Sequence, residues 1–209
     1  MLRHERQAWL SGHNRLAGID EAGRGPLAGP VIAAAVLIDR TFLEAESEKL
    51  FSGLTDSKQL TAARRDHFFS ILTDHASVRM GIGRAEVDEI DAINILKATH
   101  AAMARALAQL MPEVDHALVD GLSVHGLPCS STAIVKGDAA SLLIAAASIV
   151  AKVTRDRIML ELDRDHPVYG FAKHKGYGTV EHLEAIRAHG PCVCHRRSFK
   201  PVRELWLDL

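Results

Sequence analysis

Apolar residues gather in two runs near the start of the chain, 16–19 and 31–38, separated by a turn dense in Gly and Pro. The pattern predicts strand, glycine loop, strand, with Asp20 where the first strand ends. Thr61 stands where it would cap a helix whose apolar positions Phe68, Ile71, Leu72 and Ala76 recur at helical spacing, and residues 77–85 read as a further strand. Residues 95–110, rich in Ala, Leu and Met and stopped by Pro112, predict another helix. Residues 116–120 and 132–135 predict short strands set apart by Gly and Pro. A long helix is expected from about 139 to 165, because Leu142, Ala146, Ile149, Val153 and Leu160 keep one face before Pro167 ends it. Its other side carries Ser141, Ala145, Ser148, Lys152 and Arg155 at spacings of three and four, a stripe whose default reading is a solvated face. A segment rich in Gly, His and Lys, 169–179, then leads to a small helical tail.

Composition narrows the class. At 209 residues, 47% hydrophobic and 24% charged, the chain suits one domain with a real core, or one domain with an appendage. Lys and Arg number 25 against 26 Asp and Glu, so no global basic field announces a polyanionic partner. Charge is uneven, however: residues 173–203 hold seven Lys or Arg and two Asp or Glu, an excess of +5, which leaves −6 for the rest. A basic edge beside an acidic centre suits an enzyme that handles a polyanion with metal ions. The three cysteines, Cys129, Cys192 and Cys194, make no disulfide framework and fit a reducing compartment, so a cytoplasmic location is expected. The first fifteen residues lack the apolar stretch of a signal peptide, and no apolar run approaches the roughly 20 residues of a membrane helix.

Candidate chemistry begins with the adjacent acids Asp20 and Glu21, which open Asp20-Glu21-Ala22-Gly23-Arg24-Gly25-Pro26. Neighbouring side chains on a strand face opposite ways, so both serve one site only where the strand ends or where one reaches a metal through water. Asp120 and Asp138 each follow an expected strand. In a sheet with parallel central strands, the carboxyl ends lie along one edge, where ligand sites collect. Four carboxylates meeting there would repel one another unless Mg²⁺ or Mn²⁺ used them as ligands, and the matching chemistry is metal-assisted phosphodiester hydrolysis.

With these residues in view, the chain resembles ribonuclease HII, the type 2 ribonuclease H. The likeness runs through Gly18-Ile19-Asp20-Glu21-Ala22-Gly23-Arg24-Gly25-Pro26, Asp56-Ser57-Lys58, Val119-Asp120-Gly121 and Lys136-Gly137-Asp138. It continues through Ala145 to Asp156 along the long helix, then His174-Lys175-Gly176-Tyr177-Gly178-Thr179 and Arg197-Ser198-Phe199. The resemblance implies an α/β fold: an RNase H-like mixed five-stranded sheet flanked by helices, over 1–168, with a substrate-binding loop and helical extension over 169–209. It implies Asp20, Glu21, Asp120 and Asp138 as catalytic acids holding two Mg²⁺ or Mn²⁺ ions. The implied activity is cleavage of RNA in RNA–DNA hybrids and on the 5′ side of a single ribonucleotide in duplex DNA, giving 3′-hydroxyl and 5′-phosphate ends.

Only the 2′-hydroxyl separates ribose from deoxyribose at such a cut. By the resemblance, Gly23, Arg24 and Gly25 form the sensing loop, where the glycines let backbone approach the sugar. Tyr177 matches a tyrosine able to bond the 2′-hydroxyl and pack on the next deoxyribose. Lys58, Lys152, Lys173 and Lys175 are expected phosphate contacts by charge, and Ser148 by its hydroxyl. Two rivals stand beside this reading: another RNase H-like nuclease acting on DNA, and a non-catalytic hybrid-binding module. Cys192-Val193-Cys194-His195 offers three zinc ligands at an awkward spacing with no Cys-x-x-Cys pair, and reads as structural. Asp156 reads as an ion-pair partner in the long helix, and Asp39, Asp88 and Asp91 as surface or capping acids. The ending Leu205-Trp206-Leu207-Asp208-Leu209 suggests either packing on the domain or docking to a replication clamp. A monomer without membrane contact is expected.

Overall fold

The computed structural model describes residues 1–207. Its elements follow in order: α1 (Arg3–Leu10), β1 (Leu16–Ala22), β2 (Val31–Ile38), α2 (Arg40–Leu50), α3 (Ala62–Asp74), β3 (Val78–Ala85), α4 (Val87–Ile93) and α5 (Ile95–Ala108). Then come β4 (His116–Asp120), β5 (Ser130–Ile134), α6 (Gly137–Ala140), α7 (Leu142–Asp165), α8 (Phe171–His174), α9 (Val180–His189) and α10 (Lys200–Leu207). Short 3-10 turns at Ser57–Gln59 and Pro167–Tyr169 complete the trace.

The sheet is mixed and five-stranded, in the order β3-β2-β1-β4-β5. β1 pairs antiparallel with β2, and β2 with β3, whereas β1–β4 and β4–β5 are parallel. β2 is wholly apolar because both of its faces are covered. Ile32, Ala34, Val36 and Ile38 pack toward α7, while Val31, Ala33, Ala35 and Leu37 pack toward α5. Helices therefore flank the sheet on both sides. A third cluster joins Leu27 and Ala28 of the β1–β2 loop to Met159 of α7, Phe171, Ile186, Cys194 and Val202.

The centre of the fold is the contact between α7 and β1. A side chain at Gly18 would place its Cβ 2.1 Å from the Leu143 carbonyl carbon, so only glycine lets the helix start this close to the strand. The long helix begins at Leu142, not at about 139 as expected, because Ser141 leaves helical geometry and caps α7 by accepting from the Ile144 N–H. Residues 137–140 form the separate turn α6. Glu5 of α1, fully buried, accepts from the Ser141 hydroxyl at 2.6 Å and the Leu143 N–H at 3.1 Å, adding a carboxylate at the helix N-terminus.

The stripe expected to be solvated is instead covered: Ser141, Ala145, Ser148 and Arg155 are all buried. α7 is packed on more than one side, by the sheet, by α3 and by α8, which a two-sided reading of its periodicity does not anticipate. Among the described residues, no helix is long and apolar enough to cross a membrane. In the terminal segment read as packing or clamp-binding, Asp208, Leu209 and the side chains of Trp206 and Leu207 lie outside the described residues.

Candidate active site

Parallel pairing of β1 with β4, Ile19 opposite Val119, brings the next residues of the two strands, Asp20 and Asp120, side by side. Asp138 arrives through a turn that Asp120 itself organises. Lys136 takes a left-handed conformation (φ 56, ψ 41), and the N–H groups of Gly137 and Asp138 donate to Asp120 Oδ1 at 2.7 and 3.4 Å. Oxygens of Asp20, Asp120 and Asp138 all lie within 4.8 Å of one another. Three of the four expected acids thus form one group. Glu21 follows Asp20 within β1, its carboxylate bound by Arg24 at 3.3 Å.

The electrostatics are those of a metal-poised site. Burial, then repulsion from Glu21 and Asp120, pushes the Asp20 carboxyl well above its ordinary range. Burial also raises Glu21, with Arg24 opposing, and raises Asp138, reinforced by Asp120. Lys58 is shifted upward: burial works against its charge, but Asp56, Asp20 and Asp138 outweigh it. A group of hard oxygen donors whose charges are costly without a counter-ion is suited to a divalent cation. The donor set fits a hard divalent cation, which Asp20, Asp120 and Asp138 could hold, with Glu21 as the fourth acid beside them.

Glu21 also lines a cleft of about 480 Å³ shared by Gly23, Arg24, Gly25, Ser57, Lys58, Ser148, Lys152, Arg155 and Tyr177. Tyr177 is 46% exposed, and its ring faces Gly25, where a Cβ would come to 3.6 Å from Tyr177 Cε1. Ser148 donates to the Ser57 hydroxyl at 2.8 Å. Lys152 binds Asp156 at 2.7 Å, which makes Asp156 the ion-pair partner expected, half-buried on α7. Lys175 is not among the cleft residues; its ammonium folds back on the Ala172 carbonyl. Lys173 pairs with Glu181 away from the cleft.

Two residues that the chemistry-bearing motifs did not single out hold the glycine loop. Arg196, fully buried, donates five hydrogen bonds, to the carbonyls of Gly23, Arg24 and Pro26 and twice to Gly29. Arg155 donates to Ala28, Pro30 and Lys175. Carbonyl oxygens replace the water that a buried guanidinium loses. Burial still pulls Arg196 to about 9 and Arg155 to about 10, so both remain charged near neutrality. Because a trans peptide sets C=O and N–H on opposite sides, turning the Gly23 and Arg24 carbonyls toward Arg196 turns the N–H groups of Arg24 and Gly25 away from it. Gly23 requires glycine on two counts: φ is +99, and a Cβ would lie 2.0 Å from Arg155 Nε. Asp91, read as a surface or capping acid, accepts from the N–H groups of Arg197 and Ser198, both at 2.9 Å, and fastens the segment carrying Arg196. Neither arginine's role has a local sequence signal, since every acceptor lies far away in the chain.

Comparison with known proteins agrees with this architecture. The family model described as ribonuclease HII matches residues 17–202. Ribonuclease HII of Geobacillus thermodenitrificans is 52% identical over 206 residues, covering 98% of this chain and 75% of that protein. Among solved structures, ribonuclease H2 from Pyrococcus horikoshii superposes with a TM-score of 0.75 at 28% identity, covering 93% of this chain and 98% of that one. The RNase HII in a PCNA:RNase HII complex from Archaeoglobus fulgidus gives 0.71 at 26% identity, covering 88% and 95%. With the family model spanning the sheet, the acidic group and the glycine loop alike, the chain belongs to the ribonuclease HII family and is a metal-dependent ribonuclease H.

Proposed function

We propose that the protein hydrolyses the RNA strand of RNA–DNA hybrids and nicks duplex DNA on the 5′ side of a single embedded ribonucleotide, leaving 3′-hydroxyl and 5′-phosphate ends. The observation that carries the reading is that an acid of the catalytic set, the glycine loop and Tyr177 line one cleft. Two Mg²⁺ or Mn²⁺ ions held by Asp20, Glu21, Asp120 and Asp138 would lower the pKa of an attacking water and supply positive charge opposite the departing 3′ oxygen.

The remaining tasks belong to the chain. Asp20, buried between Glu21 and Asp120, is the best placed to be shared by both ions. The N–H groups of Arg24 and Gly25 donate to the ribose 2′-hydroxyl, which a deoxyribose lacks. Tyr177 adds its hydroxyl to the same contact and lays its ring on the following sugar. Lys58 and Lys152, on the cleft wall, meet flanking phosphates. Such an enzyme would act in cytoplasmic repair and replication.

The test is a time course on three duplexes, an RNA–DNA hybrid, DNA with one ribonucleotide and all-DNA, with product ends mapped. Cuts beside the ribose with the stated ends support the reading. Retention of the duplex uncut in Mg²⁺ and Mn²⁺ would make the chain a binding module, and preference for branched all-DNA would make it a different nuclease.

The terminal segment 205–209 is proposed to dock a replication clamp, supported by the Archaeoglobus fulgidus protein having been solved with PCNA. Removing it should abolish clamp retention in a pull-down while leaving oligonucleotide cleavage intact; unchanged retention would discard the idea.

A further inference from the structure

A second group of metal-ligating side chains lies in the C-terminal part of the molecule, built from residues distant in sequence. Ligand atoms of His166, Cys192 and Cys194 lie within 4.8 Å of one another. His166 ends α7. The two cysteines sit between α9 and α10, in the segment that continues into Arg196. Reading Cys192-Val193-Cys194-His195 by spacing alone counts the wrong histidine. His195 Nδ1 accepts from the Cys192 N–H at 3.0 Å and lies 3.2 Å from Cys192 Sγ, and its Nε2 faces His182 Nε2 at 3.0 Å, so its ring braces the cysteine turn with both nitrogens engaged.

We propose that His166, Cys192 and Cys194 bind one Zn²⁺ ion, with water completing the coordination. The chemistry of the donors selects the metal: two sulfurs and one imidazole with no carboxylate among them suit a borderline-soft cation and not the hard ions of the acidic site. Around tetrahedral zinc, neighbouring sulfur and nitrogen ligands stand about 3.5 to 3.8 Å apart, given the usual bond lengths. The side chains therefore need to draw in by about 1.3 Å at most from the observed spacing. His166 and Cys192 are only half-buried, which leaves the site open to entry from solvent.

Position gives the site its consequence. The Cys194 carbonyl accepts from the Gly29 N–H at 2.8 Å, and Ala28 bridges to His195. Two residues on, Arg196 gathers the carbonyls of the glycine loop. Zinc at this place fastens the end of α7 to the strand of chain that shapes the sugar-sensing loop. Its function is structural, and it is separate from the hydrolytic metals.

The distinguishing probe is Co²⁺ added to the reduced, metal-free full-length protein. Both sites can take Co²⁺, but only cysteine ligation gives a thiolate-to-cobalt charge-transfer band, so the band reads this site alone. The expected result is a band that saturates at one equivalent, is bleached by Zn²⁺, disappears in Cys192→Ser and Cys194→Ser, and persists in Asp138→Asn. His166→Ala, a change at a half-exposed helix end that leaves the core intact, should weaken Zn²⁺ binding by at least about tenfold. Absence of the band, a band indifferent to His166→Ala, or a chain whose two thiols join as a disulfide and bind no metal would overturn the proposal.

Discussion

The Arg196 guanidinium donates to the Gly23 carbonyl at 2.6 Å across 173 residues of chain. The contact joins the last part of the sequence to the loop beside the acidic group. It makes the glycine loop a product of tertiary structure, because its carbonyls face inward only while Arg196 and Arg155 receive them.

Replacing Arg196 separates loop geometry from bulk folding. Arg196→Met keeps apolar volume but leaves the buried carbonyls of Gly23, Arg24, Pro26 and Gly29 without their donor, a loss of about 3 kcal/mol or more. Arg196→Lys keeps the charge without the planar fork. Denaturant midpoints should fall strongly for the first and less for the second. Preference for ribose over deoxyribose at the cut site should drop in Arg196→Lys under conditions where it is still folded. Full discrimination in that variant would deny the arginine any part in shaping the loop.

Asp20→Asn should trade activity for stability. The Asp20 carboxylate is buried and pressed by Glu21 and Asp120, so without metal its charge opposes folding. Neutralising it should raise the metal-free melting temperature, each 1 kcal/mol being worth about 2–4 °C at this size, while turnover falls by orders of magnitude. Hybrid affinity should change far less than turnover. A melting point that is unchanged or lower would mean the acids are not strained in the metal-free fold.

The same acids give a pH dependence of known sign. Asp20, Glu21 and Asp138 all have raised carboxyl values in the folded chain, first through burial. The folded protein keeps protons that the unfolded chain releases near about pH 4, so their contribution is complete below that pH and is lost as pH climbs through the raised values. Mg²⁺ held by the ionised carboxylates would offset the loss. The rise in melting temperature produced by Mg²⁺ should therefore be larger at pH 8 than at pH 5.5, and should largely vanish in Asp20→Asn. A Mg²⁺ effect that shrinks as pH rises would contradict the role given to these carboxyls.

Much of this was legible in the sequence because it is locally encoded. The apolar runs locate β1 and β2, Pro112 and Pro167 mark helix ends, and an acid after each apolar run points to Asp20 and Asp120, although β1 runs on through Glu21 to Ala22. Other features depend on packing. The stripe along α7 carries no mark that distinguishes a solvated face from one covered by neighbours, so Arg155 gives no sign of its partners at Ala28 and Pro30. Asp91 looks like any surface acid until residues 197–198 dock on it. Charge alone suggests Lys175 as a phosphate contact but does not show that its ammonium meets the Ala172 carbonyl. Spacing within Cys192 to His195 likewise conceals His166, which only the end of α7 brings near.

Anomalous diffraction from crystals grown with Mn²⁺ and an uncleaved duplex containing one ribonucleotide tests the central claim most directly. The account predicts manganese density ligated by Asp20 together with Asp120 or Asp138, with the ribose 2′-hydroxyl against the N–H groups of Arg24 and Gly25. Manganese bound away from those carboxylates, or a ribose seated outside the cleft of Gly25 and Tyr177, would contradict it.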